Sequence, residues 1–167
     1  LELSNGEIKL LTISHRYKED IFKEFNLSIA GYIYPKVPDK IEDTEEFIDY
    51  SIKTMKVGSN LQLVILKNSS LEFLGCVGLH NITTKTPELG LWLKKSAWGY
   101  SYGINSIKLL VEWARINIEY DYFKYPVDKR NMASVRIAKS FGANIGEEFD
   151  CVGANGNPLY INVYHFR

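Results

Sequence analysis

The chain has 167 residues, of which 46% are hydrophobic and 24% are charged, and its 20 Lys and Arg residues are balanced by 20 Asp and Glu residues. A chain of this size can bury roughly 70% of the surface that it exposes when unfolded, so we expect a single domain over residues 1–167 with a substantial core. A formal net charge of zero argues against a dedicated nucleic-acid binder or membrane-surface binder, since both usually carry a basic excess.

The sequence also lacks the patterns of a metal centre, a disulfide framework or a membrane span. Cys76 and Cys151 do not have the spacing of a zinc site or a redox pair, and His15, His80 and His165 show no metal-ligand spacing. We interpret Cys76, in the apolar run FLGCVGLH, as a buried small hydrophobe. No segment resembles a signal peptide or approaches the roughly 20 apolar residues of a membrane span, so we expect a cytoplasmic protein that uses no metal.

The first third of the chain predicts one strand and two helices. The strand covers Glu7–Ile13, and the helical spacing of apolar residues from Tyr17 to about Asn26 predicts the first helix. The segment GYIYPKVPDKIED contains prolines and must be a loop. A second helix, capped by Asp43 or Thr44, is expected to run to about Lys56.

The hydrophobic period then changes from that of helices to that of strands. Leu61–Lys67 and Glu72–His80 form a predicted hairpin around the turn residues NSS, and Pro87–Leu93 is the next strand. If its pleat is regular, Glu88 and Trp92 lie on one face, and the alternate leucines lie on the other.

The remaining elements alternate helices with strands before a final hairpin. We predict a helix that starts between Tyr100 and Ile104 and a short helix in NMASVRIAKSFG that ends at Gly142. The predicted strands are Tyr122–Val127, about Ile145–Val152 and Leu159–Phe166. The fold class is therefore α/β: a mixed, mostly antiparallel, twisted sheet of about seven strands with about four helices.

Small residues crowd the turn that precedes the longest predicted helix. The first turn of a helix has unpaired backbone N–H groups and the positive end of the helix dipole. Small residues at Gly99, Ser101 and Gly103 would let an anion, most naturally a diphosphate, approach those groups. An ordinary helix start with Ser101 as the cap explains the same residues, and the turn alone does not decide between the two interpretations.

Two longer segments resemble the GCN5-related N-acetyltransferases, the GNAT superfamily. They are PELGLWLKKSAWGYSYGINSIKLLVEWA and NMASVRIAKSFGA. The match is closest to the branch of ribosomal-protein N-terminal acetyltransferases (RimJ/RimL-like). Its members have a strand similar to Glu88–Leu93, a turn similar to Trp98–Gly103, and an asparagine and serine placed as Asn131 and Ser134 are. The chain departs from the family pattern at Ser96 and Ser101, where Gln or Arg and then Gly or Ala are usual.

The resemblance implies the acyl-CoA N-acyltransferase fold and acetyl-CoA as the cosubstrate. It implies that backbone N–H groups of the glycine-rich turn hold the pyrophosphate, that the preceding strand pairs with the pantetheine arm, and that the next strand splays away. The residues that it implies for acetyl-CoA binding are Leu91, Trp92, Leu93, Trp98, Gly99, Tyr100, Ser101, Tyr102, Gly103, Asn131, Ser134 and Lys139.

Acetyl transfer to an amine needs a neutral amine, stabilisation of the developing oxyanion and a proton for the departing thiolate. Glu88 is our candidate general base, since desolvation beside Trp92 would raise its affinity for protons. In this branch of the superfamily the serine at the position of Ser134 is commonly assigned the proton donation. The alternatives are a solvated carboxylate at Glu88 and, for Asn131 and Ser134, an ordinary helix cap and first-turn polar residue.

The acceptor side of the cleft is expected to include Tyr32 and Tyr34 from the proline-containing loop, with His80 as a minor candidate. The acceptor is a primary amine, either a protein N-terminus or a small molecule, and the transfer is direct. The sequence does not choose between these acceptors, nor between a monomer and a homodimer. The alternative function is a non-catalytic CoA-binding module on the same fold, which Ser96 and Ser101 favour.

Overall fold

The computed structural model describes residues 1–167 as eight strands and four α-helices. The strands are β1 (Glu2–Ser4), β2 (Ile8–Thr12), β3 (Leu61–Lys67), β4 (Phe73–His80), β5 (Glu88–Leu93), β6 (Phe123–Asp128), β7 (Asn144–Val152) and β8 (Pro158–Phe166). The helices are α1 (Lys18–Glu24), α2 (Ile41–Lys56), α3 (Tyr102–Asn117) and α4 (Met132–Ser140). None of these helices is both long enough and apolar enough to cross a membrane.

All eight strands form one sheet in the order β1-β2-β3-β4-β5-β6-β8-β7. Every neighbouring pair is antiparallel except β5 and β6, which are parallel. The predicted fold class is therefore confirmed. The additional strand is β1, whose three residues pair with β2 and are too few to show a period in the sequence.

Helices cover the sheet on both faces, because its central strands are apolar on both sides. In β3, Leu63 and Ile65 belong to the main core with α3 and α4, whereas the alternate residues Val64 and Leu66 pack in a second core with Ile48 of α2. This continuous burial is typical of strands that are covered on two faces.

The start of α2 differs from its prediction by a few residues. The helix begins at Ile41, and Lys40 occupies the cap position. The carboxylate of Asp43 accepts hydrogen bonds from the backbone N–H groups of Asp39 and Lys40 at 2.9 and 3.2 Å. Asp43 therefore stabilises the helix start from the third helical position, and the prediction that Asp43 or Thr44 is the cap is wrong.

The sheet opens between β5 and β6. The two strands pair at Glu88 and Lys124, and the Lys124 N–H donates to the carbonyl of Pro87 at 2.9 Å. The next backbone nitrogen of β6 that points toward β5 belongs to Pro126, which has no N–H to donate. The ladder ends there and the strands diverge, as the resemblance implies for Tyr122–Val127.

Candidate active site

The gap between β5 and β6 opens into a cavity of about 570 Å³. Leu89–Trp92 line one side of the cavity and Tyr125–Asp128 line the other. The loop between α1 and α2 covers it, and the first turn of α4 contributes Asn131 and Ser134. Crevices at the carboxyl ends of adjacent parallel strands are the usual ligand sites of α/β sheets, which makes this cavity the candidate site.

The turn before α3 presents unpaired donors near this gap. The backbone N–H groups of residues 99–104 donate to no other protein atom. Gly99 and Ser101 have φ angles of +87° and +64°, so the backbone reverses direction between them. Successive N–H groups in such a turn, together with the N-terminus of a helix, form a concave anion site.

Ser101 occupies the cap position of α3 but does not act as its cap. Its side chain makes no capping hydrogen bond, although its carbonyl accepts the first helical bond from Asn105 at 3.2 Å. The left-handed conformation is unusual for a residue with a side chain and costs roughly 1–3 kcal/mol. The interpretation of Ser101 as an ordinary cap therefore explains neither its side chain nor its backbone.

Gly103 is required by packing. A β-carbon placed there would lie 3.0 Å from Cδ2 of Leu91 and 3.3 Å from Cδ1 of Ile137, so glycine lets α3 approach β5 and α4 closely. Trp98 lies at the other end of the turn, where its indole N–H donates to the carbonyl of Leu93 at 3.0 Å. These contacts hold the turn against the end of β5.

The cofactor residues implied by the resemblance divide into three positions. Leu91, Trp92, Asn131 and Ser134 line the cavity. The residues from Trp98 to Gly103 form the turn beside it, and Leu93 anchors that turn through its carbonyl. Lys139 is exposed in the last turn of α4, outside the cavity lining.

His80 extends over the face of the sheet in the cavity wall. A β-carbon placed at Gly78 would lie 2.8 Å from its Nε2 atom, so this glycine makes room for the ring, whereas one at Gly90 would lie at an ordinary contact distance of 3.6 Å. Burial lowers the pKa of His80 below the ordinary histidine value of 6.5. The imidazole is therefore neutral at neutral pH and able to accept a proton.

Glu88 does not line the cavity, contrary to the expectation that its side chain faces the cleft. It is the first residue of β5 and belongs to the pair with Lys124, so it lies at the closed end of the gap. Its carboxylate accepts a hydrogen bond from Nδ2 of Asn81 at 3.4 Å, and His80 is its cross-strand partner on β4. The structure therefore brings His80 to the cavity and leaves Glu88 at its margin.

Asn131 and Ser134 lie together at the start of α4. The side-chain oxygen of Asn131 accepts a hydrogen bond from the Ser134 N–H at 3.3 Å, so Asn131 does cap this helix. Both residues also line the cavity, and the Ser134 hydroxyl forms no hydrogen bond within the protein. The capping and functional interpretations of Asn131 are thus compatible.

Tyr32 and Tyr34 lie in the cavity wall on a loop that is held by a distant hairpin. Nδ2 of Asn157, in the β7–β8 turn, donates to the carbonyls of Gly31 and Ile33 at 3.0 and 3.2 Å. Asn155 donates to the carbonyl of Pro35 at 2.9 Å and accepts a bond from Val37 at the same distance. The sequence predicts only a final hairpin here, and its pattern gives no sign that the hairpin turn holds this loop.

Asp128 and Arg130 also hold the loop that carries Tyr32 and Tyr34. The two side chains form paired hydrogen bonds of 3.0 Å, and the guanidinium lies 4.8 and 4.7 Å from the ring centres of Tyr32 and Tyr160. Burial of Asp128 acts to raise its pKa, but hydrogen bonds from Arg130 and the Tyr160 N–H outweigh that effect and lower it. Sequence reasoning missed both residues, although an acidic residue at the end of a buried strand is a usable signal.

The comparison of the sequence with protein families identifies the chain. Residues 11–144 match the acetyltransferase (GNAT) domain family. The chain belongs to this family. The match confirms the resemblance that the motifs of this GNAT acetyltransferase indicate. No curated protein matches its sequence.

Solved structures of other acetyltransferases share the fold across almost the whole chain. The microcin C7 self-immunity acetyltransferase MccE, in complex with acetyl-CoA and AMP, aligns with a TM-score of 0.83 and 23% identity over 96% of this chain and 92% of that one. The spermidine N-acetyltransferase from Vibrio cholerae, with CoA and spermine, aligns with a TM-score of 0.82 and 13% identity over 97% and 96%. An acetyltransferase from Salmonella typhimurium that modifies the N-terminal serine of a 50S ribosomal subunit protein aligns with a TM-score of 0.80 and 15% identity over 96% and 95%. At these identities the likeness establishes the fold.

The Asp128–Arg130 pair predicts an acid-sensitive wall. A carboxylate with a lowered folded-state pKa stabilises the fold above its unfolded pKa of about 3.9 and loses that contribution as the pH falls below it. We expect Asp128→Asn to lower Tm at pH 7 by about 5 °C, because the buried carboxylate loses its charge and Arg130 loses a charged partner. The loss should shrink toward pH 3, as measured by thermal denaturation across this range.

Asp150→Asn, on the exposed strand β7, is the matched control for loss of one carboxylate. Equal Tm values for the two variants at pH 7 would contradict the stabilising role of Asp128.

Proposed function

We propose that this acetyltransferase transfers the acetyl group of acetyl-CoA directly to a small primary amine bound in the cavity. The observation that carries the proposal is that the turn with free N–H groups at residues 99–104 packs on the end of β5, the strand whose Leu91 lines the cavity. A thioester at the gap and a pyrophosphate at the turn would belong to one extended molecule. The complexes of MccE with acetyl-CoA and of the spermidine enzyme with CoA support this arrangement.

The open edge of β5 is suited to the pantetheine arm. Beyond Glu88 the strand has no partner strand on the side of β6; the Trp98 indole takes the Leu93 carbonyl, and the Leu91 backbone is left to bond a ligand. The amides of pantetheine can pair with such an edge as an added strand would. A free N–H near Leu91 or Trp92 is also positioned to stabilise the oxyanion that forms on the thioester carbonyl.

His80 is the general base that the cavity favours. Its neutral imidazole accepts a proton from the incoming ammonium, and the amine nitrogen then attacks the thioester carbon. The carbon–sulfur bond breaks as the tetrahedral species collapses, the nitrogen loses its surplus proton to give the amide, and the thiolate takes a proton. Glu88 remains the alternative base, acting through water from the closed end of the gap.

The lining favours an acceptor with one amine and an apolar or aromatic body. The aromatic residues of the cavity lining are Phe25, Tyr32, Tyr34, Phe47, Trp92 and Tyr125. Such side chains bury an apolar group well, and an acceptor needs no second charged group to bind them.

Each carboxylate of the lining already has a partner. Asp39 pairs with Lys36 at 3.0 Å, and Asp43 accepts two backbone N–H groups. Asp128 is held by Arg130. A polyamine would need an unpaired carboxylate for its second ammonium group, so the cavity disfavours it.

The deciding experiment combines binding with thiol release. We expect acetyl-CoA and CoA to raise Tm, since saturation at about 100 times Kd adds roughly 2.7 kcal/mol of stability, whereas ATP should have a smaller effect. Thiol release from acetyl-CoA should be faster with 2-phenylethylamine than with spermidine or a peptide that begins with serine. A Tm rise without turnover on any amine would support the non-catalytic module, and no Tm rise would overturn the proposal.

Variants at the two candidate bases should separate their roles. Because only neutral imidazole accepts a proton, we expect wild-type kcat to fall as the pH drops through a value below 6.5 and to be level above it. His80→Gln should lower kcat by about 100-fold and abolish this acid limb, while CoA binding persists. Glu88→Gln, the matched variant one strand away, should keep most of its activity.

The opposite pattern, with activity lost in Glu88→Gln and kept in His80→Gln, would restore Glu88 as the base that the sequence predicts.

The left-handed serine of the turn predicts an improved variant. Ser101→Gly removes both the unfavourable conformation and the side chain beside the free N–H groups, so we expect Kd for CoA to fall by about threefold or more in calorimetry. Ser101→Ala keeps the β-carbon and should stay close to wild type. Weaker binding by both variants would instead show that the Ser101 hydroxyl contacts the ligand.

A further inference from the structure

Tyr125 carries a hydroxyl that the fold does not use. The residue lies on β6 where the strands diverge; it is 3% exposed and its ring packs in the main core. Its hydroxyl is buried without a hydrogen-bond partner, although the residue lines the cavity. A buried polar group without a partner costs roughly 1–3 kcal/mol, so packing alone would favour phenylalanine here.

The neighbouring phenylalanine shows that the core accepts such a ring. Phe123, two residues earlier on β6, is fully buried in the same core and on the same face of the strand. The extra oxygen of Tyr125 is thus the feature that needs an explanation.

Ser134 is the polar group beside that oxygen. Tyr125 and Ser134 line the same cavity, and α4 packs against β6. Burial raises the pKa of Tyr125 to about 12, and the Ser134 side chain acts in the opposite direction. No hydrogen bond of ordinary geometry joins them. Tyr125 is therefore protonated at neutral pH and holds a proton with no acceptor, next to a serine whose hydroxyl is also free.

We propose that Tyr125 supplies, through Ser134, the proton that the departing thiolate takes. As the carbon–sulfur bond breaks, sulfur keeps the bonding electron pair and receives the Ser134 hydroxyl proton, while the Ser134 oxygen receives the proton of Tyr125. The nitrogen, which carries a surplus proton once it has bonded the thioester carbon, gives that proton to solvent, and the tyrosinate regains one proton from solvent. The net change is amine plus thioester to amide plus thiol. Tyr125 is thus a positioning residue, and the inference rests on the proposed function.

The relay explains why the two hydroxyls lack a bond at rest. Asn131 holds the Ser134 backbone at the start of α4, whereas Tyr125 is held on β6 by its pairing with β8. A sulfur atom placed in the gap would complete a chain of donors, and catalytic hydrogen bonds commonly tighten when the substrate is bound.

Tyr125→Phe provides a test with opposite effects on stability and rate. Removing a hydroxyl without a partner should keep or raise Tm, while single-turnover acetyl transfer should slow by roughly tenfold or more with little change in KM for acetyl-CoA. Ser134→Ala should slow the same step, and the double variant should be no slower than the slower single variant, because both act in one relay.

Tyr164→Phe is the matched control. Tyr164 is buried in the same core on β8, directly opposite Tyr125, but does not line the cavity. Its variant should keep the wild-type rate.

The outcomes separate this inference from the proposed function. Wild-type turnover with an equally fast Tyr125→Phe variant would overturn the relay alone, as would additive slowing in the double variant. Absence of turnover in the wild type, with CoA bound or not, would overturn the proposed function and the relay with it.

Discussion

The site depends on one missing hydrogen-bond donor. Proline at position 126 ends the ladder between β5 and β6 after a single pair, because its nitrogen points toward β5 and carries no hydrogen. The cavity and the open edge of β5 lie beyond the point where this ladder ends. The break is maintained because β6 is fully paired with β8 on its other side, so the strand cannot shift to close the gap.

The proposed anion site before α3 consists of backbone N–H groups, which is compatible with a chain of zero net charge. Free N–H groups at the start of α3 supply positive potential that does not depend on a basic excess in the chain. Forming this turn strains the backbone at Ser101, which has a positive φ angle. It also calls for glycine at position 103, where α3 packs closely on β5. The position of the helix start is thus set by core packing, and its electrostatics follow from that position.

The opposite wall of the cavity is joined by residues far apart in sequence. Asn155 and Asn157 bond the backbone of the loop that carries Tyr32 and Tyr34, and Arg130 lies between the rings of Tyr32 and Tyr160. A loop without regular structure therefore has a defined place, which is a condition for selecting an acceptor by shape. The Tyr125 and Ser134 hydroxyls and the His80 imidazole line this cavity and contribute little to the stability of the fold.

The sequence by itself determined the elements, the fold class and the family. The hydrophobic period and the turn residues are local properties of the sequence. The family motifs between Glu88 and Gly142 are short contiguous segments, so they can be recognised directly in it. The same local signals placed Asn131 and Ser134 at a helix start, which the structure shows at the cavity.

Only the tertiary structure decided which side chains share the cavity. Glu88 and His80 are both polar residues at strand ends, and the sequence does not tell which lies inside the gap; the register of β4, β5 and β6 does. The partners of Asp128 and the isolation of the Tyr125 hydroxyl depend on contacts between β6, β8 and α4. Sequence patterns report what each segment prefers alone, whereas a site is assembled by the packing of segments that are distant along the chain.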